Sequence, residues 1–146
     1  MATLPNAEAS QRHWEVIERG EHLFQQLPTR DLPSPDGHLV LEMDIRPEFS
    51  NVRGALQGGL IAVLIDMCAG RLAYQTCDHE NGFSTATSDL NVHFLSPVTV
   101  GPARTEARII RSGKSSIVLH VEVTDVGRDK LAAVSTIAFT VLPPRS

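Results

Sequence analysis

The sequence predicts an α+β domain in which one long buried helix packs against an antiparallel sheet. Two observations carry that prediction. Residues 60–77 are apolar on all sides, contain no proline, show no strand alternation and run too long for a buried strand. After Gly82 the apolar residues instead recur with a period of two between turn signals, the pattern of consecutive strands. A chain of 146 residues suits a single domain, 1–146, with its core at about 38–142.

Each element follows from local pattern. Trp14, Ile17, Leu23 and Phe24 fall at helical spacing, so residues 10–26 read as a short amphipathic helix, capped by Ser10 and interrupted at Gly20. Leu27 to Gly37, with Pro28, Pro33 and Pro35, reads as a loop. Leu39, Leu41, Met43 and Ile45 alternate with Val40, Glu42 and Asp44, a half-buried strand that ends before Pro47. Residues 51–56 form a loop, and Gln57-Gly58-Gly59 leads into the long helix, which His79-Glu80-Asn81-Gly82 closes. Four strands follow in a meander, at Thr85–Leu95, Thr105–Arg111, Ile117–Val123 and Leu131–Leu142. Ser112-Gly113-Lys114 and Val126-Gly127-Arg128-Asp129 supply turns between them.

Composition excludes several classes. With 13 Lys+Arg against 17 Asp+Glu the net charge is −4, which leaves no basic footprint for nucleic acid. The longest apolar run, Leu60–Ile65, is far short of a membrane span. The first residues lack a basic stretch followed by an apolar core, so no signal peptide is expected. Cys68 and Cys77 have no framework spacing, which points to a reducing, cytoplasmic compartment.

The chemistry centres on Asp66, the only charged residue between Arg53 and Arg71. It lies too deep in the helix to cap it. An isolated ionised carboxylate there is costly, so a partner or neutralisation is expected, and carboxylates so placed serve as bases or nucleophiles. The structural alternative is that Asp66 occupies an exposed strip or pairs with Arg53 or Arg71. Gly58 and Gly59 open the helix, where free N–H groups and the positive dipole end can hold an oxyanion. Eight residues of helix separate Gly58 from Asp66, about 12 Å of rise. One carbonyl cannot reach both. If they act on one group, Asp66 comes from another chain, in an antiparallel two-fold dimer. Cys77-Asp78-His79-Glu80 offers metal-capable side chains, but neighbours in sequence point apart and no second ligand set exists, so no metal site is expected.

The stretch Asn51-x-x-Gly54-x-x-Gln57-Gly58-Gly59-x6-Asp66 resembles the hotdog-fold acyl-CoA thioesterases, most closely their phenylacetate-pathway-like branch. Asp89-Leu-Asn-Val-His-Phe-Leu-Ser-Pro97 is similar to that family's strand ending. The resemblance implies a central helix wrapped by five or six antiparallel strands, and hydrolysis of an acyl-CoA thioester to acid and CoA. It implies that the Gly58 amide polarises the thioester carbonyl while Asp66 of the partner subunit attacks it or activates a water. Thr87 would hold the water or the carboxylate, and Asn51 would orient the acid or the thioester. Gly59 and Ser88 would border the substrate, with Arg111, Ser112, Gly113 and Lys114 near the CoA nucleotide. No metal or redox cofactor is implied, CoA being part of the substrate, and the assembly would be a dimer or a dimer of dimers.

Two departures qualify the match. The family's histidine is Gln57 here, whose amide donates a hydrogen bond but takes up no proton near neutral pH. The alternative this opens is a non-catalytic acyl-CoA- or lipid-binding module. Thr87 also shares strand parity with Asp89 and Asn91, opposite to Leu90, Val92 and Phe94. A bulge near Ser88, or a face covered by the partner, is needed to bring it into the site.

Overall fold

The structure is a computed structural model that describes residues 5–145. Its elements run α1 (Pro5–Glu18), α2 (Leu23–Gln26), β1 (Thr29–Leu32), β2 (His38–Met43), α3 (Gly58–Thr76), β3 (Ser84–Phe94), β4 (Ala103–Ser112), β5 (Ser116–Asp125) and β6 (Lys130–Leu142). The six strands form one antiparallel sheet in the order β1-β2-β4-β5-β6-β3. The sheet curls around α3, giving the hotdog architecture.

Apolar patterning dictates this wrap. Ile61, Leu64, Ile65, Cys68, Ala69, Leu72 and Ala73 are buried along α3. They face Leu39, Leu41 and Met43 of β2, Leu119, Val121 and Val123 of β5, and Ala133, Ile137 and Phe139 of β6. The inward residues of β4 are small, Ala103, Thr105 and Ala107. That lets the helix come close enough for the Cys68 thiol to donate to the Leu39 carbonyl at 3.3 Å. Burial pushes the Cys68 thiol up to about 12, so it is a packing group rather than a nucleophile.

Two elements differ from the sequence reading. The N-terminal helix starts before Ser10, which lies inside α1 and caps nothing, and Pro5 provides the pre-set φ of a first helical position. The break at Gly20 is complete: its φ of +71° turns the chain, and α2 starts afresh with His22 as its cap. The expected loop from Leu27 to Gly37 contains a strand, β1, paired with β2 from Thr29↔Met43 to Leu32↔Val40. Its prolines flank these four residues instead of interrupting them, so every backbone donor the edge pairing needs is present. A second consequence concerns β2. Glu42 is buried, although its parity is outward, because Arg30 of β1 and Arg104 of β4 fold over it, with Arg104 Nε 2.8 Å from Oε2.

Asp125 was not marked out by the sequence, yet it anchors the loop between β3 and β4. Its buried carboxylate accepts from the amides of Thr99 at 2.9 Å, Val100 at 3.2 Å and Gly101 at 2.7 Å. Burial, the largest single influence, pushes its pKa up, but the three amides and Arg128 together outweigh it and hold the carboxyl below its ordinary value. The stability it contributes is complete above the ordinary aspartate pKa, about 3.9, and is lost as pH falls through the lowered folded value. Asp125→Ala strands three donors and is expected to cost about 2–3 kcal/mol. Denaturant unfolding checks this, and the loss of stability on acidification below about pH 4 is expected to be shallower in the variant.

Candidate active site

The start of α3 is built by a turn. Asn51 Oδ1 accepts from the amides of Arg53 at 2.9 Å and Ala55 at 3.2 Å, and the Gly54 amide donates to the Asn51 carbonyl at 3.0 Å. Gly54 has φ of +75°, which explains the Asn-x-x-Gly spacing as a loop requirement. The Asn51 oxygen is therefore occupied in holding the loop, and its NH2 group is what remains to face the adjacent groove. Gln57 is the helix cap by position only. Its side chain is exposed and makes no capping bond, while its carbonyl accepts from Leu60 and Ile61. Among the described residues the Gly58 and Gly59 amides have no acceptor, so two donors at the positive helix end stand free. Gly58 lies against the Phe94 ring, and together with Asn51, Leu56, Ile61 and Pro97 they line a groove of about 300 Å³.

Asp66 sits further along α3, on the half-exposed strip that includes Ala62, Val63 and Gly70. Its partner is neither Arg53 nor Arg71. Thr87 Oγ1 donates to Asp66 Oδ1 at 2.6 Å, and Oδ2 has no protein donor among the described residues. Arg71 is instead held by Asp31 of β1 through two bonds of 2.9 and 2.6 Å. The hydrogen bond from Arg71 keeps the Asp31 carboxyl below its ordinary value. Thr87 reaches Asp66 because the β3–β6 register shifts between Thr87 and Asp89, making Ser88 the extra residue of a bulge. Ser88 Oγ donates back to the Ala138 carbonyl at 3.1 Å.

The site residues thus fall into separate groups within one chain. Asn51, Gly58 and Gly59 belong to the start of α3, and Asp66 with Thr87 to its middle, in different clefts. The hairpin of Ser112, Gly113 and Lys114 lines a third cavity, about 360 Å³, with Thr76, Cys77 and Phe83 at the other end of α3, and Arg111 is exposed beside it. By helix rise that end is about 15 Å from Asp66 and about 27 Å from Gly58. Sequence reasoning missed two residues of these clefts: Phe24 lines both clefts that contain Asp66, and Tyr74 lines the larger one. Phe24 comes from a distant chain segment, while Tyr74 lies about two turns further along α3 itself, and no local pattern marks either. Among the described residues no group of three or more His, Cys, Asp or Glu is arranged to hold a metal, and no helix is long and apolar enough to cross a membrane.

Known proteins share this fold and part of this sequence. Human acyl-coenzyme A thioesterase 13 is 30% identical over 98 residues, 66% of this chain and 68% of that protein. A phenylacetic acid degradation-related protein of Ralstonia eutropha JMP134 superposes with a TM-score of 0.72 at 26% identity, covering 87% of this chain and 98% of that one. A Streptococcus mutans UA159 protein solved bound to acetyl-CoA shares the fold, with a TM-score of 0.70 at 22% identity over 81% of this chain and 91% of its own. Fold and relatives together define a hotdog-fold thioester hydrolase. The chain belongs to the Thioesterase superfamily, whose family model matches residues 53–132.

Proposed function

We propose that the protein hydrolyses an acyl-CoA thioester to free acid and CoA in a site shared across a two-fold dimer. The observation that carries this reading is Asp66 on α3, held by Thr87 of β3, with two unused amides at the start of the same helix about 12 Å away by helix rise. Asp66 Oδ2 faces the reacting carbonyl, either attacking it or taking a proton from an attacking water. The carbonyl oxygen gains negative charge and is stabilised by the partner subunit's Gly58 amide at its helix N-terminus. The C–S bond then breaks, and the CoA thiolate takes up the proton that Asp66 removed from water. Where Asp66 itself attacks, a water then hydrolyses the acyl–Asp66 anhydride, releasing the acid, regenerating the carboxylate and supplying the thiolate's proton. Thr87 fixes the Asp66 carboxylate, and Gln57 and Asn51 supply amide donors at the carbonyl side. The reaction needs no metal or redox cofactor.

The exposed edge of β3 supports the dimer. Among the described residues this strand of 11 residues pairs with β6 alone, and its inward residues Leu90 and Phe94 are 39% and 56% exposed. An unpaired edge of that length, with Leu90 and Phe94 exposed on one face, invites a second strand. Antiparallel pairing of two copies about a two-fold at Asn91, with Ser88 as the extra residue of the bulge, sets Thr87 opposite the partner subunit's Phe94. Since Thr87 holds Asp66 and Phe94 lies on Gly58, that register joins the two half-sites. CoA phosphates then belong near Arg111 to Lys114 of the Asp66-bearing chain, within the span of an extended pantetheine arm. Gly59 and Ser88 border the substrate, dimers pair further into dimers of dimers, and two free thiols, Cys68 and Cys77, suit a cytoplasmic setting.

The test is release of free thiol from a panel of aliphatic and aryl CoA esters by the purified protein. Turnover of at least one ester is expected. Tight binding of CoA esters without any turnover would instead select a binding module, for which the exposed Gln57 in place of histidine is the reason.

A further inference from the structure

Resting on that reading, we infer that Asp66 stands at the junction of two clefts with different occupants. The acyl group enters the cleft over Ala62, Val63 and Leu90, the pantetheine lies in the one toward Arg71 and Tyr74, and Phe24 covers the junction. Both clefts contain Asp66, Thr87 and Phe24 and then diverge along α3 in opposite directions. A thioester carbonyl is itself the joint between an acyl part and a thiol part. A carboxylate placed where two clefts meet is therefore where that carbonyl belongs.

The lining decides which part goes where. Beyond the shared residues, the cleft toward the start of α3 has only Ala62, Val63 and Leu90, and measures about 330 Å³. It offers nothing to hydrogen-bond, which suits an uncharged hydrocarbon group, and its size is near the lower end of the roughly 300–1,000 Å³ usual for ligand sites. The other cleft, about 540 Å³, adds His13, Arg71, Tyr74 and Thr85, which can bond to the two amides of pantetheine. It also leads the right way, since Tyr74 is two residues from Thr76, which borders the cavity under the Ser112–Lys114 hairpin.

Phe24 is held over the junction by a rigid corner. His22 Nδ1 accepts from the Phe24 amide at 3.1 Å, Gln25 Oε1 accepts from the His22 amide at 3.0 Å, and Gln25 Nε2 donates to the Ile17 carbonyl at 3.1 Å. Buried Leu27 and the Asp31–Arg71 pair fasten the following strand to the body of the fold. The N-terminal segment thereby acts on specificity: it sets how much acyl group fits beside Asp66.

The experiment measures binding of free CoA and a series of CoA esters, acetyl to dodecanoyl, to Asp66→Asn protein carrying either Ala62→Leu or Tyr74→Ala. Leucine is a good helix former and Ala62 is half-exposed, so the first variant is expected to fold. In the Ala62 parent, affinity is expected to rise with chain length, by up to about fourfold per methylene that finds apolar surface, until the cleft is full. Ala62→Leu is expected to end that rise at a shorter chain while leaving acetyl-CoA and free CoA within twofold. Tyr74→Ala is expected to weaken free CoA and every ester by the same factor. A chain-length change caused by Tyr74→Ala and not by Ala62→Leu would overturn the assignment, as would equal effects of Ala62→Leu on all ligands. Because binding is the readout, the result stands apart from turnover. Absence of hydrolysis by the wild type would sink the enzymatic reading alone.

Discussion

Replacing Asp66 with asparagine is expected to lower kcat for acyl-CoA hydrolysis by about 10²–10⁴-fold, the range for loss of a base acting in the transition state. The structure makes this a clean test. Asparagine keeps the side-chain shape, and its carbonyl oxygen can accept the same bond from Thr87 Oγ1 that Asp66 Oδ1 accepts at 2.6 Å. No cation is stranded by the change, because Arg71 is committed to Asp31 rather than to Asp66. Fold, thermal unfolding midpoint and self-association are therefore expected to be unchanged, and affinity for a CoA ester close to that of the wild type. Thiol release under substrate saturation gives kcat. Unaltered kcat would end the proposed role of Asp66.

The environment of Asp66 also shows what sequence can and cannot reveal. That α3 is central followed from an uninterrupted apolar stretch, and the lone acid within it stood out for the same reason. Its surroundings did not follow. On one chain Asp66 lies on a half-exposed strip, so its burial depends on what covers the strip, here partly Phe24 from a segment more than forty residues away. The need for a bulge at Ser88 could be deduced, because parity alone put Thr87 on the wrong face, and the register shift occurs there. Strand β1 was hidden because four residues between prolines carry almost no periodicity, and only pairing with β2 makes them a strand. Asn51 was legible as part of a motif, yet the motif spacing serves two purposes. Its side-chain oxygen Oδ1 shapes the loop that aims the helix, a contact that no residue count distinguishes from a contact to substrate. Gly58 was legible for a physical reason that survives unchanged, since the first amides of any helix lack internal partners.

Those amides lead to the second large effect. Gly58→Pro is expected to reduce kcat by about 10²–10³-fold, as removal of one oxyanion donor does. Proline deletes the N–H and little else here. Gly58 is the first residue of α3, a position where proline's fixed φ suits the helix. Gln57 before it already has φ −55° and ψ 131°, the extended conformation that a residue preceding proline prefers. A Cβ at this position would meet only the Phe94 ring, at an ordinary 3.6 Å. Neither Gly58→Pro nor Asp66→Asn homodimers should turn over substrate appreciably, but the two together should. If each site takes Gly58 from one subunit and Asp66 from the other, a mixed dimer has one site with both changes and one with neither. Random association makes half the dimers mixed, so co-expressed chains should recover about one quarter of wild-type activity. A site contained in one chain would recover nothing, because every copy would carry one lesion. The same measurement tests the shared site that the β3 pairing provides: recovery requires a two-fold that places an intact amide of one chain beside an intact carboxylate of the other, as pairing with Thr87 opposite the partner subunit's Phe94 does.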